Sequence, residues 1–203
     1  GNTVSPEEMI EKFGADTVRL FILFAANPTA GMDWSDTALE ANYRQMVQLY
    51  NMPETILSWN GNAREIDTWM IARLKQRCQQ WRDAMDSYDL RGAVDASHFD
   101  LVKDLNWYRR RGGENPEVGK EILRVWTHMI SIATPHIAED WWKMMGNDDL
   151  VAGRVFELPD QLTSAEKDAL DAETYLRAFL EQARKVAKLS LIHISEPTRP
   201  LEI

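Results

Sequence analysis

Between residues 99 and 111 of this 203-residue sequence, aromatic rings and cations recur at helical spacing. Phe99, Lys103, Trp107 and Arg110 stand four, four and three residues apart, which puts them on one stripe of an α-helix, and Arg109 and Arg111 flank the last of them. Aromatic faces stack on unpaired nucleobases and guanidinium groups pair with phosphates, each base stack being worth about 1–3 kcal/mol. The chemistry such a stripe could do is to hold a nucleic acid, and Lys103, Trp107, Arg109, Arg110 and Arg111 are the candidate binding residues. The same stripe could instead pack on a neighbouring helix, with the arginines sitting where a helix C-terminus favours cations. Phe99 and Trp107 are expected to pack; for Lys103 and Arg110 both readings stand.

Other reactive side chains point to structure. His98 falls among apolar residues and reads as a core histidine with its hydrogen bonds met. The single cysteine, Cys78, excludes an internal disulfide framework and reads as core, and four scattered histidines offer no metal-ligand spacing. Asp67 is placed to stabilise the first turn of its helix. Acidic pairs such as Asp148-Asp149 lack the partner arrangement of general acid and base catalysis. No catalytic group and no metal site are assigned.

The formal net charge of −9 and a pI near 5.0 argue at first against a polyanionic partner. The charge is uneven, however: 12 of the 23 basic residues lie between positions 64 and 124, beside 11 acidic ones, and both ends are acidic. That middle third could attract RNA locally, or could be two solvated helices rich in both signs. No apolar run approaches the length of a membrane span and the start lacks a signal peptide, so no membrane association and a cytoplasmic location are expected.

The elements that would carry these residues are helical. Ser5-Pro6-Glu7-Glu8 has the form of a capping box with proline at the first helical position, and Gly14 is placed to end that helix. Asp16 is expected to cap a second helix, Val18 to Ala25, apolar all round except for Arg19 and therefore buried on all sides. The lone guanidinium then needs a partner, for which Asp16 or Asp33 is expected. Asn27-Pro28 should stop this helix, and Ser35 or Asp36 should start a third towards Tyr50, with a break at Pro53 and an extension to about Ser58. A long helix from Glu65 to Tyr88 places Met70, Leu74, Cys78, Trp81, Met85 and Tyr88 within an arc of about 80°. The next, Leu90 to Arg111, faces Val94, His98, Leu101, Val102, Leu105 and Tyr108 inward and ends at Gly112-Gly113. Asn115-Pro116 and Thr134-Pro135 start two more, ending at Gly146, with Trp126, Trp141 and Trp142 in the bundle core. From Asn147 to Gln161 the helical pattern fades, and Val155–Leu158 is at most one short extended piece. Beyond the capping box Thr163-Ser164-Ala165-Glu166, a helix with an apolar face of Ala172, Tyr175, Leu176, Phe179, Ala183 and Val186 has little left to pack against and should be poorly anchored.

Several segments together carry a family resemblance. Gly1-Asn2, Phe13-Gly14-Ala15-Asp16-Thr17-Val18-Arg19-Leu20-Phe21 and Met32-Asp33-Trp34-Ser35-Asp36 resemble the stretch after the K-M-S-K-S-K-G-N loop of class I aminoacyl-tRNA synthetases. Ile66-Asp67-Thr68-Trp69, Asp104-Leu105-Asn106-Trp107-Tyr108-Arg109-Arg110 and Pro135-His136-Ile137-Ala138-Glu139-Asp140-Trp141-Trp142 resemble the anticodon-binding domain of the leucine, isoleucine, valine and methionine members. Within that group the likeness is greatest to the leucyl-tRNA synthetases of the archaeal and eukaryotic type. The resemblance implies an all-α fold: a helical connector at 1–35, an antiparallel bundle at 36–146, and the start of a C-terminal region with one amphipathic helix at 147–188. It also implies that Gly1 and Asn2 are the remnant of an ATP loop. Parent enzymes of this kind join leucine to tRNA with ATP and Mg²⁺; the chain itself is expected to bind tRNA, to hold no cofactor and to be inactive alone. Corresponding pieces of the valine, isoleucine or methionine enzymes, and a helical protein-interaction module without nucleic acid, are the alternatives, and oligomeric state is left open. Residues 189–203 read as translated sequencing-library adapter and are excluded from fold reasoning.

Overall fold

The computed structural model describes residues 5–25 and 34–194, with side chains as far as residue 187. Gly1, Asn2, Asp33 and the Asn27-Pro28 stop lie outside the described residues, as does the tail from residue 195. Ten α-helices are found among the described residues, with no strand: α1 Pro6–Phe13, α2 Ala15–Ala25, α3 Asp36–Tyr50, α4 Met52–Leu57, α5 Glu65–Asp86, α6 Leu90–Val94, α7 Leu101–Arg110, α8 Pro116–Ile130, α9 Pro135–Met144 and α10 Ser164–Ile194. A π-helical turn, Asp95–Asp100, joins α6 to α7, and a short 3₁₀ turn covers Val151–Gly153. The architecture is all-α, as expected. Val155–Leu158 belongs to no strand.

Local chemistry explains most of the boundaries. Ser35 Oγ accepts from the Ala38 amide to start α3, and Asn115 Oδ1 accepts from the Glu117 amide to start α8 with Pro116 behind it. Both halves of the capping box at α10 form, Thr163 N donating to Glu166 Oε2 and Glu166 N to Thr163 Oγ1. The box expected at α1 does not: Ser5 Oγ donates to Glu7 instead.

The helix α5 is the central strut, packed against α6, α7, α8 and α10. Met70, Leu74 and Cys78 are buried as its periodicity requires, and burial raises the Cys78 thiol to about 11. Tyr88 leaves this stripe, because the helix ends at Asp86 and Tyr88 turns outward in the left-handed region (φ 60°). Trp126 and Trp141 meet edge to face at 5.1 Å in the core, and Trp126 Nε1 donates to the Ser97 carbonyl of the π turn at 2.6 Å. A smaller apolar cluster, Phe13, Phe21 and Leu39, ties α1 and α2 to α3. It straddles position 36, so the connector and the bundle share packing at α3.

Two expectations are corrected here. The helix α2 is not buried all round: Arg19 and Ile22 lie on an exposed face. Arg19 pairs with no aspartate among the described residues; its guanidinium donates to the Ile132 and Ala133 carbonyls past the end of α8, where unpaired helix-end carbonyls favour a cation. Asp16 is free to serve another helix, accepting from the Ile137 amide in the first turn of α9 and pairing with His136 Nδ1. The second correction concerns α10, whose first half, to Arg177, is anchored along α5, but by the side opposite the one expected, while residues 178–187 are exposed apart from the half-buried Leu180. Glu166, Leu170 and Glu173 face inward, while Tyr175, Phe179 and Val186 are 76, 59 and 65% exposed.

His98 is fully buried, its two ring nitrogens within hydrogen-bond distance of Ser97 Oγ (2.8 Å) and Thr134 Oγ1 (3.1 Å), and burial lowers its pKa to about 3. The unfolded imidazole takes up a proton near its ordinary value of about 6.5, so this group's contribution to stability is complete above that pH and is lost as pH falls towards 3. Urea unfolding from pH 6 to pH 4 should therefore fall more steeply for the native chain than for His98→Asn, by up to about 1.4 kcal/mol per pH unit. Parallel pH curves would contradict this.

Candidate nucleic-acid interface

The candidate residues lie on the last turns of α7, and that helix end is tightly specified. Gly112 N donates to the Arg109 carbonyl and Gly113 N to the Tyr108 carbonyl, with Gly112 at φ 80°, the glycine-terminated arrangement that satisfies the final carbonyls of a helix. Gly113 lies under the Tyr108 ring, where a methyl group would meet Cε2 at 2.1 Å. Tyr108 itself is buried, and its hydroxyl donates to Asp67 Oδ1 at 2.6 Å. Asp67 Oδ2 also accepts from Asn115 Nδ2 (2.7 Å) and from the Arg64 amide (2.9 Å). Asp67 thus does more than stabilise the first turn of α5: it joins the start of α5, the end of α7 and the start of α8. Burial, reinforced by the Asp67 hydrogen bond, pushes the Tyr108 hydroxyl well above its ordinary range.

The arginine run divides by environment. Arg111 pairs with Glu173 of α10 at 3.1 Å, and the same carboxylate accepts from Trp107 Nε1 at 2.8 Å. The guanidinium of Arg177, also on α10, lies 4.5 Å from the Trp107 ring centre and 4.9 Å from that of Trp69, and burial lowers its pKa. Arg110 stands 6.0 Å from the Trp107 ring. Trp107 is therefore half-buried under α10, with its indole N–H already committed. Phe99 packs on Phe24 at 4.7 Å. Lys103 is exposed and paired with Asp100 at 2.9 Å. Arg109 and Arg110 are exposed, and among the described residues neither makes an ion pair.

Asp104, one position after Lys103, was invisible as a structural centre in the sequence. It is buried and accepts from Arg77 Nε (2.7 Å) and Arg73 Nη2 (3.1 Å). Arg64 was missed as well; its guanidinium lies beside Gly112, where a methyl group on that glycine would meet Arg64 Nη1 at 3.0 Å. Among the described residues no group of three or more His, Cys, Asp or Glu could hold a metal ion, and no helix is long and apolar enough to cross a membrane. The arrangement sets exposed guanidinium groups on a tightly specified helix end, a chemistry suited to anions.

Comparison with known proteins gives a family, relatives and a shared fold. Residues 67–199 match the family described as the anticodon-binding domain of tRNA ligase. The chain is 31% identical over 189 residues to a leucine–tRNA ligase of Archaeoglobus fulgidus, covering 93% of the chain and 20% of that protein. It is 29% identical over 205 residues to the enzyme of the same name from Methanosarcina acetivorans, covering 98% of the chain and 20% of that protein. The chain thus spans about a fifth of the length of these relatives. Among solved structures, the Agrobacterium radiobacter K84 agnB2 LeuRS in its ternary complex with tRNA and LeuAMS has the same fold, at a TM-score of 0.62 and 21% identity, over 84% of this chain and 22% of that one.

Glu173 is the link between α10 and the arginine run. Replacing it by Gln keeps a hydrogen-bond acceptor but removes the charge facing Arg111, and should cost α10 docking about 1–2 kcal/mol. Amide hydrogen exchange across residues 164–187 should quicken by about 5- to 30-fold in Glu173→Gln. Phe179→Ala, on the exposed side, should leave the exchange unchanged.

Proposed function

Since the chain belongs to the family of tRNA-ligase anticodon-binding domains, we propose that it is the tRNA-binding part of a leucine–tRNA ligase. The observation that carries the binding role is the pair Arg109 and Arg110. Two adjacent guanidinium groups are held on solvent at a fixed helix end, without a carboxylate partner among the described residues, in a chain with 32 acidic side chains to choose from. Planar guanidinium forks suit phosphate oxygens, and their placement in the basic middle third explains how an acidic protein presents a surface to RNA. Lys103 contributes less, because Asp100 already offsets its charge.

The choice of leucine is supported by relatives that align along nearly the whole chain, connector and bundle together. On this reading the parent enzyme activates leucine with ATP and Mg²⁺ and transfers it to tRNA in the cytoplasm. The stretch described here binds and orients the tRNA, holds none of those ligands and is inactive alone. Among the described residues the buried Asp67, Asp104 and His98 all have structural partners.

Retention of a leucine tRNA transcript on filters, measured from 50 to 200 mM salt, tests the binding role. Arg109→Ala with Arg110→Ala should weaken binding and make the slope of log K against log salt shallower by about two. Lys103→Ala should have a smaller effect. A native chain that retains no tRNA, or a double variant with an unchanged slope, would overturn the reading.

A further inference from the structure

We propose that Arg64 is a third phosphate-binding residue of this interface, so that the RNA site spans two loops of the bundle rather than one helix end. The inference rests on the tRNA-binding reading above and extends it to a residue 45 positions before Arg109. Arg64 belongs to the turn before α5, and its guanidinium lies over Gly112, directly after the arginine run. Its side chain makes no ion pair among the described residues, and the nearby acids of the same two loops, Glu65 and Glu114, do not engage it. Arg64, Arg109 and Arg110 therefore present three uncompensated guanidinium groups at one end of the bundle.

The platform beneath Arg64 is rigid. The two loops are joined by Gly61 N donating to the Glu114 carbonyl at 2.8 Å. Asp67 clamps them a second time, through the Arg64 amide on one side and Asn115 and Tyr108 on the other. With its backbone fixed on both sides, Arg64 has only side-chain freedom to lose when it binds. The ligand class is an internucleotide phosphate of RNA, taken as a fork contact between Arg64 and the run ending at Gly112. Arg64 is exposed and its side chain makes no ion pair among the described residues, so its removal should leave the fold intact.

The test compares Arg64→Ala and Arg64→Lys with the native chain and with the Arg109→Ala, Arg110→Ala double variant, in the same tRNA retention assay. Arg64→Ala should bind about 3- to 10-fold more weakly at 100 mM salt, with a slope shallower by about one. Arg64→Lys should keep the native slope, because the charge remains, and regain part of the affinity. Thermal melting of both variants should match the native chain. If Arg64→Ala keeps native affinity and slope while the double variant does not, Arg64 is not a ligand and the tRNA-binding reading survives. If the native chain retains no tRNA, both readings fall. An affinity loss accompanied by a lowered melting point and an unchanged slope would make Arg64 structural and would also overturn the proposal.

Discussion

A helix placed in the middle of a bundle has to find partners for every charge it carries, and α5 carries three cations on the side covered by α7 and α10. Arg73 and Arg77 meet Asp104 and, for Arg77, Asp100; Lys75 meets Glu166. Burial alone would raise the Glu166 carboxyl, but the Lys75 ammonium and the Thr163 hydrogen bonds outweigh it and hold the group below its ordinary value. This demand decides how α10 lies. Turning Tyr175 and Phe179 inward would gain about 1.5–3 kcal/mol for each ring fully buried. It would also strand the largely covered Lys75 without Glu166, and a covered charge that loses its partner costs about 3–5 kcal/mol; the more exposed Arg111 would lose Glu173 as well. The charged side wins, and the aromatic side is left on solvent.

The same constraint accounts for the dense mixture of signs in the middle third of the chain. Much of that charge is internal wiring between α5, α7 and α10, and only the remainder is available to a partner. Lys103, Arg111 and Arg177 are engaged by Asp100, Glu173 and the Trp69 and Trp107 rings respectively. Arg64, Arg109 and Arg110, which make no ion pair among the described residues, gather at one end, around Gly112. An acidic protein can in this way hold a compact cationic edge without an overall positive field.

How much of this could be read from residues alone depended on the range of the interaction. Caps and breaks are settled within four residues, so the starts of α3, α8, α9 and α10 were legible, as was the buried stripe Met70, Leu74, Cys78 and the core position of His98. The α10 orientation was not, because an amphipathic wheel counts apolar side chains and takes no account of what the opposing helix needs. Asp16 was not legible as a partner of α9 rather than of Arg19 for a related reason: Arg19 looked like a stranded charge in search of an acid, and the end of α8 supplies it with carbonyls 113 and 114 residues away in sequence. In the candidate site, the run Arg109 to Arg111 stands out in one dimension. Arg64 does not, since only the folded loops bring it to Gly112.

The π turn between α6 and α7 has a geometric corollary. A widened turn accommodates about one residue more than an α-helical one and so offsets the phase of everything downstream by about 100°. Rewinding Asp95–Asp100 as an ordinary α-helix, with no residue removed, would swing Leu105 and Tyr108 off the core and aim the guanidinium groups at the far tip about a quarter turn from their present heading, whereas trimming one residue from the turn would leave α7 facing as it does. The irregular turn is the alignment mark by which α7 presents one side to the interior and the other to solvent.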